Sequence, residues 1–481
     1  MKVGKRKETS AYITVYFALT LGMIIVLTVT VIEGARKQTI RFETECVTDA
    51  ALNSIFAEYS RAMLDRYGLL FIDDSYGGTG NENNTKNHFL HYMNLNFDGG
   101  SSSIGFMDIT SLRADNVSLS EVSFASDNGG EVLEYQIIQY MKTKTGIAII
   151  DNSDYSPFDT DFEERFDDYK SQREALDEQI EGYVEDYNNA LSEDEEPVDI
   201  SNPADAVEKD PNDGVLFYAF GDKPLSIKTI NSGEYISKRG YVNGYGLYDT
   251  QEKPFGLTGK ALYTTYLFEK LGYKGKERDN SALDYQLEYL LEGKDSDVEN
   301  LRDVIEKIFC ARYVINIAYL YSDNQKKEEA RAIATIAALV IEQPELIDLV
   351  QQAILLAWAY AESAKDLRIL FDGHNLSPTK TSGDWNTPLS QIVNYKEHLS
   401  EYHAPSGGIL DYKAFLIGFL AISSEETINM RLMDVMEMDI RLTDGNGKFR
   451  MDNQIYQLTA TTNVSSKYGY GCSIKRNYSY R

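Results

Sequence analysis

The sequence predicts an α+β fold. It combines a long N-terminal transmembrane/amphipathic helix with a mixed α/β region that has a mainly helical part and short C-terminal strands. Three observations predict it. An uncharged apolar run fills residues 11–32. Apolar residues recur at helical spacing through most of 261–372. Alternating β-formers occur at 116–124 and again after Phe449.

Taken in order, residues 1–10 form a short polar N-terminus carrying Lys2, Lys5, Arg6 and Lys7. The 22 residues from Ala11 to Ile32 hold no charge. At a rise of about 1.5 Å per residue, about 20 residues cross a hydrocarbon core of about 30 Å. Of the structures that satisfy every backbone group in lipid, one such segment alone can form only a helix. A cleaved signal would have an apolar stretch of about 7–15 residues ending in small residues. This run is longer and is followed by Glu33, so 11–32 is expected to stay as a transmembrane helix.

The helical pattern continues beyond the run. Val47, Ala51, Ile55 and Tyr59 recur every four residues, and Leu52, Phe56 and Met63 widen the stripe. One helix is therefore expected from about Ala11 to Arg66, with 33–66 as its amphipathic extension and Gly68 as the stop. Residues 67–160 read as mixed α/β: loops rich in Gly, Asn and Ser at 73–103, strands at 116–124, and a short helix at 131–142. In the segment 161–191, Phe162, Phe166, Tyr169, Arg173, Leu176, Ile180, Tyr183 and Tyr187 form a heptad seam. That seam suits packing within the chain or against a partner chain. The acidic stretch 192–214 contains three prolines and reads as a linker and domain boundary.

Residues 215–481 are expected to be mainly helical with C-terminal strands. GVLFYAF, beginning at Gly214, is strand-like, and successive helix patterns fill 261–372, with Pro344 in the first turn of the last. The charges Glu345, Asp348, Glu362 and Lys365 exclude that last helix as a second span. Residues 373–410 read as loop. Ser423 and Glu426 have the spacing of a capping box before a helix whose face is Ile428, Leu432, Val435, Met436 and Ile440. Residues 444–447 form a turn, and the chain ends in a hairpin or small sheet.

Composition excludes some functions. A formal charge of −28 repels phosphate, so no nucleic-acid partner is expected. Three cysteines, Cys46, Cys310 and Cys472, make no disulfide framework, although Cys310 could bridge Cys472. His88 and His91 lack the ligands to complete a zinc site, as do His398 and His403. The segment 255–261 lacks two obligatory positions of a phosphate loop, where Pro254 and Ala261 stand. No catalytic, cofactor-binding or metal-binding residue stands out, and no cofactor is expected.

The N-terminal texture is informative. Ser10-Ala11, Val15-Tyr16-Phe17-Ala18-Leu19, the apolar stretch, and Ile32-Glu33 with Arg36 resemble the TadE/TadG-type minor pseudopilins of the Tad (Flp) pilus. In those proteins the apolar helix continues as an amphipathic one. Tyr16 stands where that family has Glu, so prepilin processing does not carry over. The remainder resembles a family of Gram-positive bacterial membrane proteins associated with Tad-like pilus components. The resembling parts are LDYQLEYLLEGKDSDVENL at 283–301, AWAYAES at 357–363, and Arg431-Leu432-Met433-Asp434.

The resemblance implies a membrane-anchored extracellular structural or assembly component of a Tad-like pilus or secretion apparatus, and not an enzyme. The N-terminus would be cytoplasmic and the bulk extracellular, in a bacterial cell membrane. Four basic residues before the span against Arg36, Lys37 and Arg41 after it give the same direction weakly. Partners would be the bilayer through 11–32 and proteins through 35–66 and 162–187. The competing readings are a cell-surface sensor or adhesin unrelated to pili and, third, a membrane-tethered hydrolase.

Overall fold

A computed structural model describes residues 6–99, 103–104, 107–108, 110–145, 182, 185, 214–246, 256–340, 344–405 and 407–480. The fold is α+β. Internal contacts divide the chain into two compact units. One is Met1–Thr143, Gly240–Lys253 and Ile440–Arg481, and the other is Lys144–Arg239 and Pro254–Asp439.

The first unit is built on helix α1 (Arg6–Phe56), 51 residues without a break. Helices α2 (Arg61–Tyr67), α3 (Glu82–Gly99) and α4 (Asp127–Thr145) follow, with the short strands β1 (Ile72–Asp73), β2 (Ser103–Ile104) and β3 (Met107–Asp108) and the long β4 (Leu112–Phe124). The C-terminal strands β5 (Gln454–Ser466) and β6 (Gly471–Ser479) complete it. All pairings are antiparallel: β5 takes β4 on one edge and β6 and β1 on the other. One core joins Val47, Ala51, Leu52, Ile55 and Phe56 of α1, Phe89, Met93 and Phe97 of α3, and Val117, Val122, Leu458 and Ala460 of the sheet.

The second unit is helical: α5 (Val215–Phe220), α6 (Gly256–Lys270), α7 (Gln286–Glu292), α8 (Asp297–Ser322), α9 (Asn324–Val340), α10 (Ile347–Phe371), α11 (Tyr412–Ile422) and α12 (Glu425–Arg441). Helix α9 turns Ala330, Ala334 and Ala338 inward, each fully buried, and small side chains let it approach α10 closely. The face of α12 made by Ile428, Leu432, Val435, Met436 and Ile440 is buried as its spacing predicts.

Several elements differ from the sequence reading. Helix α1 stops at Phe56 because Ser60 N–H bonds to Phe71 O at 2.8 Å and Tyr59 pairs with Ile72, which pulls the chain out of the helix. The stripe seemed continuous because Met63 of α2 is also buried. Residues 82–99, read as loop, are α3. Its Asn-rich surface hides the helical spacing of Phe89, Met93 and Phe97. GVLFYAF is a short helix whose terminal carbonyl Phe217 O accepts from Gly221 N–H at 2.8 Å and from Arg368 at 2.7 Å. Ser423 makes no capping box: its hydroxyl donates to Phe419 O at 2.8 Å, closing α11, and α12 starts at Glu425. Cys310 lies in α8 and Cys472 in β6, and no bridge joins them. The heptad seam at 162–187 and the acidic linker at 192–214 lie outside the described residues, apart from Gly182, Glu185 and Gly214.

Candidate functional site

Two places in the first unit carry features beyond core packing. The first is the stem of α1. This helix is long and apolar enough to cross a membrane, and its apolar window is unburied. Polar side chains within the run are satisfied locally: the hydroxyls of Thr20, Thr28 and Thr30 donate to carbonyls one turn back, at 2.9, 2.8 and 2.7 Å. That is what a hydroxyl needs where no water is available.

Beyond Ile32 the helix enters the fold. Strand β6 and its turn accompany it from Glu33 to Phe56. The Tyr470 hydroxyl donates to Glu33, Arg36 lies 4.4 Å from the centre of the Tyr468 ring, and Arg476 pairs with Asp49 at 3.1 Å. Tyr478 bonds Asn53, and the Tyr480 hydroxyl donates to Phe56 O at 2.7 Å. The two paths match in length. Twenty-three helical steps at about 1.5 Å and ten strand steps at about 3.4 Å both span roughly 35 Å. The strand therefore runs along the helix and fixes it to the sheet. Val47, Ala51, Leu52, Ile55 and Phe56 of the apolar stripe are buried in the core.

The second place is a polar cleft of about 510 Å³ lined by Ser75, Tyr76, Gly78, Thr79, Asn81, Asn84, Asn87 and His88. Tyr76 has φ 45°, a left-handed conformation that strains a bulky residue. It is held there by stacking on His88, ring centres 3.9 Å apart, and by donating to Glu58 at 3.0 Å. Glu58 also meets His88 Nδ1 at 3.2 Å and accepts from the Tyr92 hydroxyl at 2.7 Å. Burial, then Glu58, pushes the Tyr76 phenol far above its ordinary value. Nearby, Asp74 is buried, and burial with Asp73, Glu82 and Asp452 pushes its carboxyl up to about 7. The lining offers amides and hydroxyls, groups that make neutral hydrogen bonds. Sequence analysis singled out only His88 here. Glu58, Tyr76 and Tyr92 were hidden because the cleft joins the end of α1, a turn and α3, three segments with no common periodicity.

The second unit buries charge in its core. Lys380 contacts Glu362 at 2.6 Å and Asp366 at 2.7 Å, and Arg312 contacts Asp366 at 3.0 Å, all four side chains essentially inaccessible. Glu362 also accepts from the N–H groups of Asn386 and Thr387, at 3.0 and 2.7 Å. A second network hangs on α12: Asp434 accepts from Ser237 N–H at 2.9 Å and the Tyr289 hydroxyl at 2.8 Å, and Arg431 donates to Leu290 O and Leu291 O. The first set is paired and closed to solvent, and in the second Asp434 is buried and Arg431 half-buried, so these charges hold loops to helices. Among the described residues, no group of three or more His, Cys, Asp or Glu is arranged to hold a metal ion.

One protein family matches residues 193–466, more than half of the chain: DUF5702, a family of unknown function. No curated protein and no solved structure matches the chain. Three stretches that carry the sequence resemblance, 283–301, 357–363 and 431–434, supply the two buried networks through Tyr289, Glu362 and Asp434. They specify a core.

Proposed function

We propose that this chain, which belongs to the DUF5702 family, is a membrane-anchored extracellular structural or assembly component of a Tad-like pilus or secretion apparatus. One observation carries the reading. A single unbroken helix leaves residues 12–32 almost wholly uncovered and then lays its second half on an antiparallel sheet. An exposed apolar run of that length is unfavourable in water and favourable in lipid. The resemblance to TadE/TadG-type pseudopilins implies the same apolar-then-amphipathic helix. Contacts with neighbouring subunits are assigned to the exposed side of 35–66, where Phe42 faces outward, and to the heptad segment 162–187. The span also supports an anchor for a surface sensor or adhesin, so the test must address pili directly.

The test combines topology with assembly. Intact cells carrying the protein tagged at both ends are shaved with protease, and the membranes are washed in alkali. Loss of the C-terminal tag with survival of a short membrane-bound N-terminal fragment is expected. Deleting the gene is expected to abolish Tad-like pili, and deleting 161–191 to abolish capture of pilus components while membrane insertion persists. Protection of the C-terminal region until cells are broken would refute the outward orientation. Normal pili in the deletion strain would refute the pilus assignment.

A further inference from the structure

The way the C-terminal hairpin meets α1 places part of the folded unit at a lipid boundary. This step rests on the reading of 11–32 as a membrane span. Along α1, residues 12–32 are exposed except for half-covered Thr20; Glu33 and Arg36 are half-covered, and Ile40 is the first buried residue. The β5–β6 turn contributes to the cover at Glu33 and Arg36. Tyr470 bonds Glu33, the Tyr468 ring takes Arg36 at 4.4 Å, and the Tyr470 ring takes Lys37 at 5.2 Å. The turn is well made: Ser466 N–H bonds Tyr470 O at 2.8 Å, Gly469 N–H bonds Ser466 O at 2.9 Å, and Gly469 supplies the left-handed residue at φ 82°.

Arg36 lies four residues past the end of the apolar run, which is about 6 Å along the helix. The headgroup layer on each side of a bilayer is roughly 5–7 Å deep. The turn therefore sits at headgroup depth when the run fills the hydrocarbon. Its chemistry suits that depth. Lys467 is exposed, Tyr468 is 39% exposed, and exposed Lys37 on α1 lies against the Tyr470 ring. Tyrosine rings favour the boundary between apolar and wet, and lysine and arginine reach phosphates from there. These lysines stand out on a chain whose formal charge is −28.

We infer that the β5–β6 turn, Lys467–Tyr470, together with Lys37, is a second membrane contact that binds lipid headgroups and seats the folded unit flush on the bilayer. The hairpin would then set the depth and tilt of α1, which a lone helix leaves free.

The test uses the full-length protein in phosphatidylcholine–phosphatidylglycerol vesicles, with Cys46, Cys310 and Cys472 replaced by serine. A polarity-sensitive fluorophore is attached in turn through Lys467→Cys, Tyr468→Cys and Val29→Cys. Lys467 is exposed and spared from the ring contacts with α1, so its variant guards against a folding defect at Tyr468. Expected is loss of fluorescence at 467 and 468 with headgroup spin labels, and at 29 with mid-chain spin labels. Quenching at 29 by lipid but at 467 and 468 only by aqueous iodide leaves the span standing and overturns the hairpin contact. Shielding of 467 from both lipid and iodide quenchers means that protein covers the turn, which also overturns it. No lipid quenching at 29 removes the span itself, and this inference with it.

Discussion

Glu288 shows how a single residue links burial to pH. It sits on α7 with no accessible surface, accepting from Lys274 N–H at 2.8 Å and from the Tyr412 hydroxyl at 2.7 Å. Burial outweighs these bonds and pushes its carboxyl up to about 7. Between its unfolded value near 4.5 and about 7, the folded state holds a proton that the unfolded state has released. Stability from this group therefore falls as pH rises through that window and is level above it, by on the order of 3 kcal/mol. Glu288→Gln is expected to flatten that slope, read from urea denaturation midpoints between pH 4.5 and 8. Lys380 carries the opposite risk. With Glu362 and Asp366 in bonding distance and all three side chains buried, Lys380→Met leaves a carboxylate short of its partner, at a cost of about 3–5 kcal/mol. Chemical denaturation checks it, and the double variant with Glu362→Gln is expected to recover part of the loss. A double variant no more stable than Lys380→Met alone would show that the two residues are not energetically coupled.

At the scale of elements, the long periodic ones were legible and the short or disguised ones were not. The helices of 261–372, strand β4 and the C-terminal hairpin follow directly from spacing. Helix α3 did not, because nine of its eighteen residues are Asn, His, Asp or Gly, which depress helix propensity. It forms because Phe89, Met93 and Phe97 land on the core against α1 and the sheet, so tertiary burial overrides local preference. Met93→Ala removes a fully buried side chain from that contact and is expected to cost about 2–5 kcal/mol. The measurement is the first unit's thermal transition, with the second unit's transition unmoved. The polar cleft was illegible for the same reason: its residues belong to three elements, one of which the sequence disguised. The use of tyrosines along α1 depends on β6 lying beside a helix more than 400 residues earlier in the chain.

At the scale of the molecule, that distance is the governing fact. Local periodicity reports each element and says nothing about which distant element it joins. Here β4 pairs with β5 across more than 300 residues, and the whole helical unit is inserted between them. The prediction that follows concerns where the chain can be cut. Strand β5 is the one member of the four-stranded sheet bonded to β1, β4 and β6 alike. A chain ending after Asp439 therefore loses the centre of the sheet, the strand that runs along α1, and the core residues Ile455, Leu458, Ala460 and Val464. Such a chain is expected to insert in membranes, because residues 11–32 are untouched, yet to expose α1 between Glu33 and Phe56 to protease. Its second unit, which loses only the last two residues of α12, is expected to keep its own thermal transition. Limited proteolysis and calorimetry of the membrane-reconstituted chain read both outcomes. A protected 33–56 segment in the shortened chain would mean that α1 is held by something other than the C-terminal strands, and the hairpin would lose its place as the clamp on the stem.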